Sequence, residues 1–365
     1  MPDTRDRQYA ELLVDTCVGV QPGWQVVVQG SPLARPLLDE ILRAVAERGA
    51  YALLRMSYAG GLFGSLEWIR HAPTDLLETL APFETRMLEE VDALIVVQAP
   101  ENSRQLTVLS AEQNRAFSSG QRKAMERVYN HELPWVGCQY PVAALAQDAG
   151  MATPEFADFL YAACLLDWDA ERERMQHYAD RFDAAEQVRI VGEGTDLTLS
   201  IAGRSMRVDA GGANIPGGEF FCSPVEDSAE GEITFAEYPA VMTGRDVTGV
   251  HLRFEAGRVV DAGAATNEAF LLETLAMDEG ARFLGELGIG CNPGITKHTR
   301  NILFDEKIDG TVHLALGRSY TVTGGTNESA IHWDIVKDLR VGAELQLDGD
   351  VVQRDGSWLL EAVDA

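Results

Sequence analysis

The feature that most limits the fold is a change of rhythm part-way along the chain. Up to about Glu186, short apolar runs alternate with stretches of helical spacing. Beyond it, short strands follow one another with only turns between them. In the first part, residues 24–30, 51–56, 92–98 and 134–138 read as strands, 92–98 as a buried one. Between them, residues 36–48 place Leu37, Leu38, Ile41, Leu42 and Val45 on one helical face, Thr74 caps a helix running from 75 toward 90, and residues 111–129 have helical spacing. Strands that alternate with helices predict a parallel, doubly wound sheet. Two more helices are expected over 153–185, with the charged stretch from Asp167 to Arg174 as a solvated face.

In the second part, residues 188–192, 197–201, 232–235 and 249–254 read as strands, with one helix over 267–277. Asp348 and Gly349 mark a hairpin turn. The connections are too short for repeated βαβ units. The expectation is a two-domain α/β protein: an α/β domain over 1–186 and a strand-rich α+β domain over 187–365 that carries the chemistry. A length of 365 residues suits two domains.

Charge and apolar patterning exclude several classes of function. Thirty Lys and Arg oppose 57 Asp and Glu, a formal net charge of -27. Such a surface lacks a phosphate-neutralising patch, so nucleic acid and anionic membranes are not expected partners. The acidity suggests adaptation to high salt, with a surface that simply aids solubility as the plainer reading. No apolar run reaches the roughly 20 residues of a membrane span, and no signal-peptide pattern follows Met1, so a cytoplasmic protein is expected. The five cysteines are scattered without CxxC spacing and read as small core residues. The glycine run at 59–64 lacks GxGxxG spacing, which argues against a dinucleotide site. His71, His131 and His177 stand apart from other ligand-type residues.

Four segments of the second part carry candidate chemistry. Glu219 follows a Pro-Gly-Gly turn. Glu286 lies inside the apolar, glycine-bordered run at 284–290, and a carboxylate in a buried strand is costly unless it is paired or bound to a metal. His313 sits in a β-type apolar run after Asp305 and Glu306, with Tyr320 seven residues on. His332 and Asp334 are two apart, so on a strand they share one face, with Ile331, Trp333 and Ile335 on the other. Each segment also has a plain structural reading: an exposed loop glutamate, strand alternation, a satisfied core histidine, a local His–Asp hydrogen bond. Together, imidazole and carboxylate donors suit Zn, Co, Mn or Fe(II), and a surplus of carboxylates favours a two-metal site. No Gly-x-Ser-x-Gly elbow competes with them.

These segments, in this order, resemble the thermophilic-type aminopeptidases of metallopeptidase family M29. The resemblance covers most of the C-terminal half and is general in the N-terminal half. It implies a two-domain subunit, a homodimer, peptide substrates with a free N-terminus, and two divalent metal ions per subunit, Zn, Co or Mn. Carried over by residue, Glu219, Glu286, His313, His332 and Asp334 are similar to the family's metal ligands, with Glu286 at the bridging position. Glu306 matches an acidic position at the metals, and Tyr320 a tyrosine that binds metal or stabilises an oxyanion. Glu219 or Glu286 would accept a proton from the attacking water. The chain departs from many members in a longer interval between Glu306 and His313 and a shorter one between His313 and His332. Two alternatives stand beside this reading. One is a dihydroxypyridine-type Fe(II) dioxygenase, with His313, His332 and Asp334 as its triad. The other is a non-catalytic binding protein on the same scaffold.

Overall fold

A computed structural model describes residues 3–58, 65–124, 127 and 132–359. The glycine run at 59–64, His131 and the end of the helix expected over 111–129 lie outside the described residues. The chain forms two compact units, one from Met1–Leu165 with Gly211–Pro216, the other from Leu166–Ala210 with Gly217–Ala365.

The first unit is built on a parallel sheet of Tyr51–Met56, Gln25–Gly30, Ala93–Gln98, Trp135–Gln139 and Asn214–Ile215, in that spatial order. The doubly wound α/β expectation holds here. The apolar runs are strands because Val26, Val27, Val28, Leu94 and Ile95 are all buried. Helix Arg35–Glu47 buries Leu37, Leu38, Ile41 and Val45 of the stripe read from the sequence, and Ala44 besides, while Leu42 is half-buried. The helix expected from 75 to 90 is instead two, Thr74–Leu77 and Pro82–Glu90. Pro82 starts the second because it has no N–H to donate and holds the preceding residue in extended geometry. The fifth strand, only two residues long, belongs to a segment the sequence assigned to the other domain.

The second unit contains an eight-stranded sheet whose neighbours all run antiparallel, including Gln187–Gly192, Thr195–Ser200, Glu230–Phe235 and Val250–Glu255. Its Glu344–Leu347 and Asp350–Arg354 strands turn at Asp348 and Gly349, both at positive φ (49° and 94°), as the hairpin signal requires. Helix Trp168–Asp183 belongs to this unit, so the division falls ahead of the helix and not at residue 186. The reason is packing: Trp168, Met175, Ala179 and Phe182 are buried, and Phe182 meets Phe220 edge-on at 5.1 Å. No helix among the described residues is long and apolar enough to cross a membrane.

The second sheet of this unit positions the candidate site. Its five antiparallel strands are ordered His332–Asp338, Thr311–Gly317, Leu284–Gly290, Glu219–Cys222 and Arg207–Asp209. One face carries Trp333, Ile335, Val312, Leu314, Leu316, Leu287, Ile289 and Phe220, all buried. The opposite face is where the polar residues gather.

Candidate metal centre

The pairing register brings the candidates together. Glu286 lies opposite Ala315, and Ala315 opposite Asp334. His313 lies opposite Gly288, Gly290 opposite Glu219, and Gly317 opposite His332. Directly paired residues share a face, so His332, Asp334, His313, Glu286 and Glu219 all project from one side of the sheet. The positions between them are Gly or Ala. A Cβ at Gly288 would stand 2.0 Å from His313 Nε2, so the imidazole lies across bare backbone there.

Each carboxylate is held locally. The turn before Glu219 is closed by Gly218 N donating to Asp209 O, Cys291 N to Gly218 O, and Asn292 Nδ2 to Gly217 O, each at 2.8 Å. Gly218 is at φ 112°, and a Cβ there would fall 2.5 Å from that of Asn292. Glu306 and Lys307 follow the short helix Ile302–Asp305, which Asn301 caps by accepting from Leu303 N. Asp305 is engaged by its own segment. It accepts from Thr299 N and Oγ1 and from Asn301 N, and its Oδ2 lies 3.1 Å from His298 Nε2.

Glu286 sits centrally. Its Oε1 is 3.2 Å from His313 Nε2 and its Oε2 is 3.2 Å from His332 Nε2. His313 Nε2 is also 3.3 Å from Glu219 Oε2, and His332 Nε2 is 3.4 Å from Asp334 Oδ1. Two groups result, Glu219–Glu306–His313 and Glu286–His332–Asp334, each with its donor atoms within 4.8 Å of one another. Tyr320 stands at the edge, its hydroxyl 3.5 Å from His332 Nε2. The geometry unites all seven residues singled out in the sequence: Glu219, Glu286, Glu306, His313, Tyr320, His332 and Asp334. It adds Lys307, whose fully buried ammonium lies 3.0 Å from Glu219 Oε1 and also contacts the Glu306 carboxylate. A lysine beside two glutamates gives no periodic signal, so the sequence did not mark it. Gly288 was visible only as part of a glycine-bordered run.

The donor set fits a divalent cation. His332 Nδ1 donates to Arg318 O at 2.7 Å, which leaves Nε2 with its lone pair aimed at Glu286 and Asp334. Glu219 Oε2 is buried without a hydrogen-bond donor. Four carboxylates and two imidazoles thus converge, buried or half-buried, and a cation or protons must balance them. As protein groups alone, Glu219, Glu306 and the two imidazoles hold protons more firmly than usual, whereas the histidines beside Glu286 and Asp334 hold those two carboxyls below the ordinary range. Burial pushes Glu219 up to about 8, against the pull of Lys307. Burial disfavours charge on His313 and His332, yet their carboxylate partners outweigh it and raise them to about 10 and about 11. A metal ion that binds imidazole and carboxylate displaces such protons.

The chain matches the thermophilic metalloprotease (M29) family over residues 3–358. It belongs to that family. The chain is 25% identical to aminopeptidase AmpS of Bacillus subtilis, over 96% of its own length and 97% of the relative's. Its fold is similar to that of wild-type AmpT from Thermus thermophilus, with a TM-score of 0.83 and 22% identity over 98% of this chain and 99% of that one. A 2,5-dihydroxypyridine dioxygenase from Pseudomonas putida shares the fold at a TM-score of 0.63 and 16% identity, over 99% of both chains.

Proposed function

We propose that this metallopeptidase is an aminopeptidase that uses two divalent ions, Zn, Co or Mn, to release N-terminal residues from peptides. The observation that carries the reading is the pair of adjoining donor groups sharing a central carboxylate. Glu219, Glu306 and His313 would hold one ion, His332 and Asp334 the other. Glu286, with one oxygen toward each imidazole, would bridge them. When bound, such ions supply Lewis acidity, acidifying water and polarising the scissile carbonyl.

The remaining work falls to the chain's own groups. Glu219 or Glu286 accepts the proton of the attacking water. The Tyr320 hydroxyl, at the rim of the cluster, donates toward the developing oxyanion. The substrate's free α-amino group would be held by an acidic group or a metal, which gives exopeptidase preference. The buried apolar face of the sheet keeps these side chains in place.

The family resemblance also supports a homodimer working on peptides in the cytoplasm, which sedimentation and cell fractionation would test. The dioxygenase fold supports a second reading, one Fe(II) on His313, His332 and Asp334. Glu219 and Glu286 in the same cluster favour the hydrolase. The deciding experiment measures metal content together with amino-acid release from unblocked and N-acetylated peptides. About two ions per chain and cleavage of unblocked peptides only are expected. One iron per chain, oxygen uptake and no cleavage would replace this reading with the dioxygenase.

A further inference from the structure

Lys307 divides the cluster unequally. Its side chain is fully buried, and its backbone is pinned by Lys307 N donating to Phe304 O at 3.0 Å and Asn292 N donating to Lys307 O at 2.9 Å. The ammonium therefore occupies a fixed place against Glu219 and Glu306. Glu286 and Asp334 are paired with the two histidines, with no lysine or arginine among their ion-pair partners in the described residues. An ammonium donates to the same carboxylate lone pairs that a divalent ion requires. An ion entering the Glu219 side must share those oxygens with Lys307 and meet its positive charge at short range in a low-dielectric site. An ion entering the Glu286 side meets carboxylate and imidazole, and feels Lys307 only through its longer-range effect on Asp334.

We propose that Lys307 is a built-in monovalent cation that makes the two metal subsites unequal: a tight one at Glu286–His332–Asp334 and an exchangeable one at Glu219–Glu306–His313. The proposal rests on the two-ion reading above and deepens it. Lys307 has a second consequence. Because it balances part of the charge on Glu219 and Glu306, those carboxylates remain buried and ordered when only the tight ion is bound. Lys307 is thus a charge-balancing residue, distinct from the groups that touch substrate.

The test is a titration of chelator-stripped full-length protein with Co2+, followed by visible absorption and calorimetry. Wild type is expected to bind in two steps whose Kd values differ at least tenfold. In Lys307→Met the weaker step should tighten at least tenfold toward the first, and Lys307→Gln should do the same if the methionine variant does not fold. His332→Ala should lose the tight step and keep the weak one. Uptake of a single ion by wild type, with a second accepted only by the Lys307 variants, would support the proposal in its strongest form. Two ions bound with equal affinity by wild type, or a step separation unchanged in a folded Lys307 variant, would overturn it while leaving the two-ion reading intact. Absence of Co2+ binding in every protein would overturn both.

Discussion

Gly288→Ala isolates the contribution of bare backbone beneath the cluster. Gly288 lies in the Leu284–Gly290 strand without positive φ, so alanine is compatible with its backbone and the effect is purely steric. The added Cβ would sit 2.0 Å from His313 Nε2, 2.1 Å from Cε1 and 2.9 Å from Cδ2. The imidazole is fully buried, so it has no solvent to swing into. Overpacking of this kind costs about 1–3 kcal/mol. For a unit of this size that is a fall in melting temperature of roughly 2–4 °C per kcal/mol. The displaced ring also breaks the Glu219–Glu306–His313 group, so metal content should fall by about one ion per chain. Differential scanning calorimetry and elemental analysis read the two effects. Gly212→Ala is the control: a Cβ there meets nothing within 4 Å, and its melting temperature should match wild type. A Gly288→Ala protein with wild-type melting and wild-type metal content would refute the claim that His313 needs this glycine.

Three further outcomes are expected. His332→Ala and Asp334→Ala should lose activity and the ion of the Glu286–His332–Asp334 group while near-native circular dichroism persists; full activity in either removes that residue from the ligand set. Asp278 accepts from Ala281 N, Ala330 N and Ser329 Oγ; its replacement by Ala should cost about 1–3 kcal/mol in chemical denaturation. Burial opposes its ionisation, but these hydrogen bonds outweigh it and hold its carboxyl below the ordinary value. That stabilisation is present above the unfolded pKa of about 3.9 and is lost as pH falls through the folded one, so wild type should lose its advantage over Asp278→Ala on acidification. An advantage independent of pH would contradict the assignment. Finally, the net charge of -27 should make the melting temperature rise between low and molar KCl as self-repulsion is screened, and equal melting in both would end the high-salt interpretation.

The sequence exposed those parts of the molecule that obey a short period. Strands of period two and the stripe of Arg35–Glu47 were legible because burial selects apolar residues at fixed spacing. His332 and Asp334 could be placed on one face for the same reason. Glu286 was ambiguous in isolation, since alternation and burial both fit a carboxylate in an apolar run; only the register opposite Ala315 and Asp334 decided its side. The interruption at Pro82 carried a local signal that helical spacing overrode. The short helix Leu66–His71, capped by Ser65 accepting from Trp68 N, was too brief to show periodicity. The return of Gly211–Pro216 to the first unit was illegible, because a two-residue strand has no pattern. The pairing of Lys307 with Glu219, a residue of a distant strand, could be found only in three dimensions.

Apart from Glu306, which follows the helix Ile302–Asp305, the proposed ligands come from four different strands, held in step by pairings such as Gly290 with Glu219 and Gly317 with His332. A slip of one residue in any strand would send its ligand to the apolar side. The cluster therefore cannot exist in a partly assembled sheet, and cation capture must come late in folding, after all four strands have found their partners. Once captured, an ion at the proposed centre would stitch neighbouring strands together and penalise every misaligned pairing. Such a centre would act as a proofreader of the sheet that builds it.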